Sequence, residues 1–266
     1  MYSELILIIV NLLIAMLIPA AVVLGLTYIN RNSKELLVRK YGFSSQIWLG
    51  CVGIFIHECS HAVMALIFGH NIVEFKPLIL PRNVARNDGA LGYVRQTWNA
   101  NSTYQNMGNL FIGTAPIWGC TLVIYWVLKT TMPNVYQFVL SLEKAATSYS
   151  VLKVQQVMAN PNLFANMDMT SIVTMLIGLA VIANIVIGGF DLSPADLHNA
   201  FGAFVALYVV VLIILSALTF LGFGSLISNY LLKLMTVFVL LMSLSLVLSV
   251  AINLVLRFLN FLSNLT

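Results

Sequence analysis

The segment with the clearest chemical potential is His57-Glu58-Cys59-Ser60-His61, an HExxH sequence. Histidines four positions apart lie on one face of a helix, so His57 and His61 can bind the same metal ion. Glu58 lies about 100° round the same turn, where it can act as the general base for a metal-bound water. The segment predicts a zinc hydrolase site with His57 and His61 as ligands and Glu58 as the catalytic residue.

This motif lies in an apolar run from Ile47 to Gly69 that is long enough to cross a bilayer. On the insertion scale, one charged side chain at the centre of a membrane helix costs about 2.5–3.5 kcal/mol. Three ionisable groups within one turn therefore indicate a function, because a purely structural role would not offset that cost. The first hypothesis is a zinc protease that works within the membrane.

The composition is that of an integral membrane protein. Hydrophobic residues make up 60% of the 266 residues and charged residues only 8%, whereas about 25% of the residues in soluble proteins are charged. Several apolar stretches of membrane-spanning length predict an all-α membrane protein, a polytopic bundle of about six transmembrane helices. The net charge of +4 indicates loops that face anionic lipid, and nucleic acid is not an expected partner. Cys51, Cys59 and Cys120 all lie in apolar runs, which favours buried thiols over disulfides.

Hydropathy divides the chain into predicted spans and polar segments. The spans are residues 5–29, 45–68, 110–128, 172–187, 200–221 and 231–256, and residues 31–40 form a polar connector. Two β-prone segments, 73–80 and 89–98, flank a turn-prone stretch and predict a small β-hairpin-like loop after the HExxH helix. Residues 136–158 predict a helix that lies on the membrane surface or caps the bundle. We expect a single domain, residues 1–266, with its catalytic core at about 45–199.

Two histidines do not complete a catalytic zinc site, which usually has a third protein ligand. Asp191, Asp196 and His198 follow the fourth span, and counting the crossings puts them on the same membrane face as the end of the HExxH helix. Asp196 is the preferred ligand. With Ser193 as N-cap and Pro194 as first helical residue, it falls in the first turn of a membrane helix, where an unpaired acid is costly. An acid there also stabilises the helix dipole without binding metal. Asp191 is the alternative ligand, and His198 is most simply an interfacial histidine.

These features together resemble the site-2 protease family of intramembrane zinc metalloproteases. The likeness rests on the HExxH in a membrane helix, the β-prone loop after it, a third span rich in small residues with a proline, and an aspartate after a later span. It covers about residues 45–199. The family usually presents its third ligand as Asn-Pro-Asp-Gly or Leu-Asp-Gly, whereas this chain has Leu192-Ser193-Pro194-Ala195-Asp196-Leu197. The resemblance implies a zinc-dependent endopeptidase that cuts membrane-protein or peptide substrates.

Two further segments are candidates for substrate contact. Asn109, Gly113 and Pro116 on the third span either shape a substrate channel or pack the core. Residues 89–98 either add an extended substrate as an extra strand or form an ordinary surface loop.

Two other functions compete with the peptidase. One is a non-proteolytic membrane protein, such as a metal-dependent chaperone, a partner-binding subunit or a transporter, with a structural or vestigial HExxH. The other is a metalloprotease of the prenyl-protein type with Glu143 as third ligand, which its peripheral helix disfavours. In each case we expect a multi-pass protein of a lipid bilayer, and a bacterial cell membrane is the expected location.

Overall fold

The described part of the chain is mostly helical. The computed structural model describes residues 2–87, 89–148, 150–164, 167–194, 196, 209, 213–214, 216–218 and 220–263. Within these ranges, residues 2–16, 85, 224–235 and 263 are described by their backbone alone. Its longer elements are α1 (Tyr2–Tyr41), α2 (Ser45–Ile67), β1 (Asn71–Lys76), β2 (Tyr93–Thr97), α4 (Thr103–Thr131), α5 (Pro133–Thr147), α6 (Val151–Ala159), α7 (Met169–Gly189) and α8 (Gly224–Ser263). Between the strands lie the single-turn helix α3 (Pro81–Val84) and a 3-10 turn (Ala85–Asn87).

Helices of membrane-spanning length dominate this part of the chain. Among the residues that the structure describes, four helical segments are long and apolar enough to cross a bilayer: Ser45–Ile67, Thr103–Thr131, Met169–Gly189 and Thr236–Leu262. The predicted α-helical membrane bundle with a small hairpin is therefore confirmed. The first predicted span lies within α1, and most of the fifth lies outside the described residues.

The predicted connector at 31–40 is instead the last part of α1, which continues to Tyr41. This polar segment remains part of the helix because α8 offers partners to the side chains of Asn32 and Ser33. Asn253 donates a hydrogen bond to Ser33 (2.8 Å) and Arg257 donates one to Asn32 (2.9 Å). These contacts join α1 and α8 along a buried polar seam, in which Ser33 is 1% exposed.

Glycines let α2 and α7 approach until their backbones touch. A Cβ atom built on Gly188 would lie 2.0 Å from the carbonyl oxygen of Gly50, and one built on Gly53 would lie 2.6 Å from the nitrogen of Gly189. Small residues commonly permit such close helix crossings in membranes. The crossing places the C-terminal end of α7 directly beside the middle of the HExxH helix. Ile182, Ile185, Val186 and Phe190 of this region pack in the main hydrophobic core together with Cys120 and Ile124 of α4.

The hairpin lies over the HExxH helix. β1 and β2 pair antiparallel, with Phe75 opposite Val94 and an irregularity between Ile72 and Glu74. A Cβ atom on Gly92, just before β2, would lie 2.8 Å from Cγ of Glu58. The absence of a side chain at Gly92 therefore lets the loop pass directly over the predicted catalytic residue.

The predicted helix at 136–158 is two helices, α5 and α6, so its continuity was wrong. Ser150 interrupts it, because its hydroxyl accepts a hydrogen bond from the backbone nitrogen of Lys153 and begins α6 as an N-cap. The predicted end of the segment at residue 158 agrees with α6 to within one residue, since α6 ends at Ala159.

Candidate metal centre

His57 and His61 are buried side chains whose hydrogen bonds define which ring nitrogen carries the proton. They are 8% and 7% exposed. Nδ1 of His57 lies 2.9 Å from the carbonyl oxygen of Gly189, and Nδ1 of His61 lies 2.7 Å from that of Ile112. Because a carbonyl oxygen only accepts, each Nδ1 must be the donor. In the neutral rings both Nε2 atoms therefore present a lone pair.

These two lone pairs face one another. The Nε2 atoms are 3.1 Å apart, and the ring planes meet at 73°. Two acceptors at that distance repel each other unless a proton or a metal cation lies between them. Tetrahedral zinc with Zn–N bonds of about 2.0–2.1 Å separates two ligand nitrogens by about 3.3–3.4 Å. The donor set and its spacing therefore fit a metal ion of this kind.

Asp196 completes the cluster and also caps its own helix. Its Oδ1 lies 3.5 Å from Nε2 of His61, and one ligand atom from each of the three residues lies within 4.8 Å of the others. Its Oδ2 accepts hydrogen bonds from the backbone nitrogen (2.9 Å) and hydroxyl (2.6 Å) of Ser193. In return, the Ser193 hydroxyl accepts from the Asp196 nitrogen at 3.1 Å, as in a capping box. Capping and metal binding are thus compatible, because they use different oxygens of one carboxylate.

The alternative ligands lie elsewhere or outside the described residues. Asp191 forms ion pairs with Lys34 at 3.0 Å and Arg31 at 3.5 Å, so its charge is already matched. Glu143 is buried on α5, away from this cluster. His198 lies outside the described residues. Of the candidates that the structure describes, only Asp196 joins the two histidines.

A cavity of about 880 Å³ gives access to the three residues and to Glu58. One wall is formed by Leu91–Gln96, which includes most of β2, and another by α4. Asn109 and Gly113 line it, whereas Pro116 is fully buried in the core. Glu58 thus shares one chamber with the cluster and with a strand edge.

Arg31 and Lys34 also line this cavity, although their positions in the sequence predicted only part of a polar connector. The available signal was their spacing from Thr27: positions 27, 31 and 34 share one helical face if α1 continues. Asn184 of α7 is a second residue near the site that the sequence pattern did not identify. Its Oδ1 accepts a hydrogen bond from the backbone nitrogen of Val52 at 2.8 Å, five residues before His57.

No protein-family model, curated protein or solved structure matches this chain.

Proposed function

We propose that this chain is a zinc-dependent intramembrane endopeptidase, resembling the site-2 protease family. The observation that carries the proposal is the pair of histidine Nε2 atoms, 3.1 Å apart, with a carboxylate oxygen of Asp196 3.5 Å from one of them. Both Nδ1 atoms are engaged by carbonyls, an arrangement that orients metal-binding histidines in other proteins. The two histidines lie in a helix of membrane-spanning length, Ser45–Ile67.

Each residue of the site has a distinct task in this proposal. His57, His61 and Asp196 hold the metal. When bound, zinc polarises the scissile carbonyl and makes water a stronger nucleophile at neutral pH. Glu58 accepts the proton of the attacking water and passes it to the leaving amine. Gly92 leaves room for the Glu58 side chain beneath the loop, and Glu58 lines the same cavity as the cluster and β2.

The hairpin offers the substrate a strand edge. β2 pairs with β1 along one edge, and residues 91–96 line the cavity. An extended peptide can add to a strand edge through backbone hydrogen bonds. Because a peptide bond in a helix is shielded by its neighbours, a membrane-spanning substrate must unwind locally before it is cut. The cavity volume of about 880 Å³ lies in the range of about 300–1,000 Å³ that is usual for ligand pockets.

The test combines metal analysis with proteolysis. Protein purified in detergent without chelators should contain near-stoichiometric zinc, and His57→Ala should lose it. Glu58→Gln should retain zinc but cut a candidate membrane-protein substrate at least 100-fold more slowly, following the usual range for general-base catalysis of about 10²–10⁴-fold. Glu35→Gln, an exposed change on α1, is the matched control and should cut normally.

Two outcomes would count against the peptidase. Absence of zinc from the wild-type protein would remove the metal centre. Undiminished cleavage by Glu58→Gln would remove the proposed general base. Bound zinc without cleavage of any membrane substrate would instead support the non-proteolytic, metal-dependent function.

A further inference from the structure

We propose that Lys34 and Asp191 are positioning residues that hold Asp196 in place from α1. The inference rests on the metal site of the proposed function and assigns a role in that site to residues outside the HExxH helix. These residues contact the link, the segment 190–195 that joins α7 to Asp196, of which all residues but 195 are described.

The Asp191 carboxylate lies between two cations of α1. Lys34 Nζ is 3.0 Å from Oδ2, and Arg31 is 3.5 Å from Oδ1. The side chains of Lys34 and Asp191 are only 13% and 18% exposed, so this pair is largely shielded from solvent. Removing one member of such a pair leaves a poorly solvated charge and is much more disruptive than breaking a surface ion pair.

Successive residues of the link are each held by a side chain. The Gly189 carbonyl is bound by His57, and the Phe190 carbonyl accepts from the Thr27 hydroxyl at 3.4 Å. Lys34 then binds Asp191, and Arg31 donates to the Leu192 carbonyl at 3.3 Å. Ser193, which follows, is bonded to Asp196 itself. Three consecutive residues are therefore held by one face of α1.

α1 can act as a support because its other side is attached to α8. Ser249 donates to Asn30 at 2.8 Å, and Asn253 donates to Ser33 at 2.8 Å. The contacts thus run from α8 through α1 and the link to the carboxylate beside His61. This arrangement also occupies Asp191, which would otherwise be a second carboxylate free to compete for the metal.

The first experiment measures zinc affinity by competition with a chromophoric chelator. Lys34→Met and Asp191→Asn should each bind zinc about 10- to 100-fold more weakly, the usual effect of losing a residue that orients a metal ligand. The swapped pair Lys34→Glu with Asp191→Lys should recover most of that loss. Lys153→Met on α6 and Asp168→Asn before α7 are matched controls and should bind zinc normally.

A second comparison shows whether the pair acts through Asp196. In an Asp196→Ala background, Lys34→Met should cause no further loss of zinc affinity. An equal further loss would overturn the inference, because the pair would then act independently of Asp196. Wild-type zinc affinity in both single variants would overturn it as well.

Hydrogen exchange of the metal-free proteins provides a readout that does not need zinc. Amides of residues 189–196 should exchange faster in Lys34→Met and Asp191→Asn than in the wild type and the controls, while α4 and α5 exchange as before. Unchanged exchange of the link would refute the positioning role. This measurement also separates the two proposals: a wild-type protein without zinc contradicts the proposed function, and the exchange result still decides whether the pair holds the link.

Discussion

Substituting alanine for Gly188 tests how closely the α2–α7 crossing determines the geometry of the candidate metal centre. The new Cβ atom would lie 2.0 Å from the carbonyl oxygen of Gly50 and 2.9 Å from the nitrogen of Ile54. Both are backbone atoms and cannot rotate away. Real Cβ atoms essentially never lie closer than 3.0 Å to such an atom. The helices must therefore separate by about 1 Å to lengthen the 2.0 Å contact to that limit. The adjacent Gly189 carbonyl, which holds His57, must move with α7.

The size of the effect follows from two opposing terms. Alanine in place of glycine ordinarily stabilises a helix by about 0.5–1 kcal/mol, whereas overpacking a close contact costs about 1–3 kcal/mol. The difference between these ranges is about 0–2.5 kcal/mol, and we expect the free energy of unfolding to fall by about 1 kcal/mol. Displacement of the His57 partner should weaken zinc binding about 10- to 100-fold.

Gly25→Ala is the matched control, on α1 where it faces α8. Its Cβ atom would lie 3.4 Å from Cδ1 of Leu246, a side-chain atom in ordinary contact range. This variant should bind zinc normally and be at least as stable as the wild type. Zinc competition and thermal unfolding in detergent measure both quantities. Wild-type zinc affinity in Gly188→Ala, with equal or greater stability, would refute the close-contact reasoning.

Three further changes test local features. Ser193→Ala removes the hydroxyl donor to Oδ2 of Asp196 but keeps the backbone donor, and it should weaken zinc binding about 10-fold. Ser150→Ala, which removes the N-cap of α6, should leave the affinity unchanged, and equal losses would contradict a role for the Ser193 cap. Asp168→Ala removes the N-cap of α7, where Oδ1 accepts from Ser171 at 2.8 Å, and should lower the free energy of unfolding by about 1 kcal/mol in denaturation assays without affecting zinc. The hydrogen bond from Lys76 lowers the pKa of Glu74, so Glu74 keeps its charge when the pH falls to the ordinary pKa of a carboxyl group. The hairpin ion pairs should be lost only as the pH falls further, through that lowered pKa. Carboxyl NMR should show the pKa of Glu74 rising in Lys76→Met, and an unchanged value would contradict this cause.

Several parts of the site were predictable because they depend on local chemistry. The predicted HExxH span, 45–68, agrees with α2 to within one residue at its C-terminal end, since a long apolar run must satisfy its backbone as a helix in lipid. Ser193 and Asp196 form the predicted N-terminal turn because capping involves residues only three positions apart. The preference for Asp196 over Asp191 followed from these local signals, and its role as a zinc ligand stays a prediction.

Other parts depended on contacts between distant residues. The polar residues at 31–40 read as a connector because their partners lie far away in the sequence. Asn253 and Arg257 bond to Ser33 and Asn32 from more than 200 positions away. The pairing of Asp191 with Lys34 bridges 157 positions, so no local pattern shows that Asp191 is already paired.

Residue types and spacing alone reveal two histidines and a glutamate on one turn of a membrane helix, with a capped aspartate after a later span. These features follow from helical periodicity and from the cost of ionisable groups in lipid. Which histidine nitrogens approach each other, which aspartate lies beside them and which one is neutralised become evident only in the folded chain. These distances depend on the close glycine crossing of α2 and α7 and on contacts between residues far apart in the sequence, so they arise only when the helices pack.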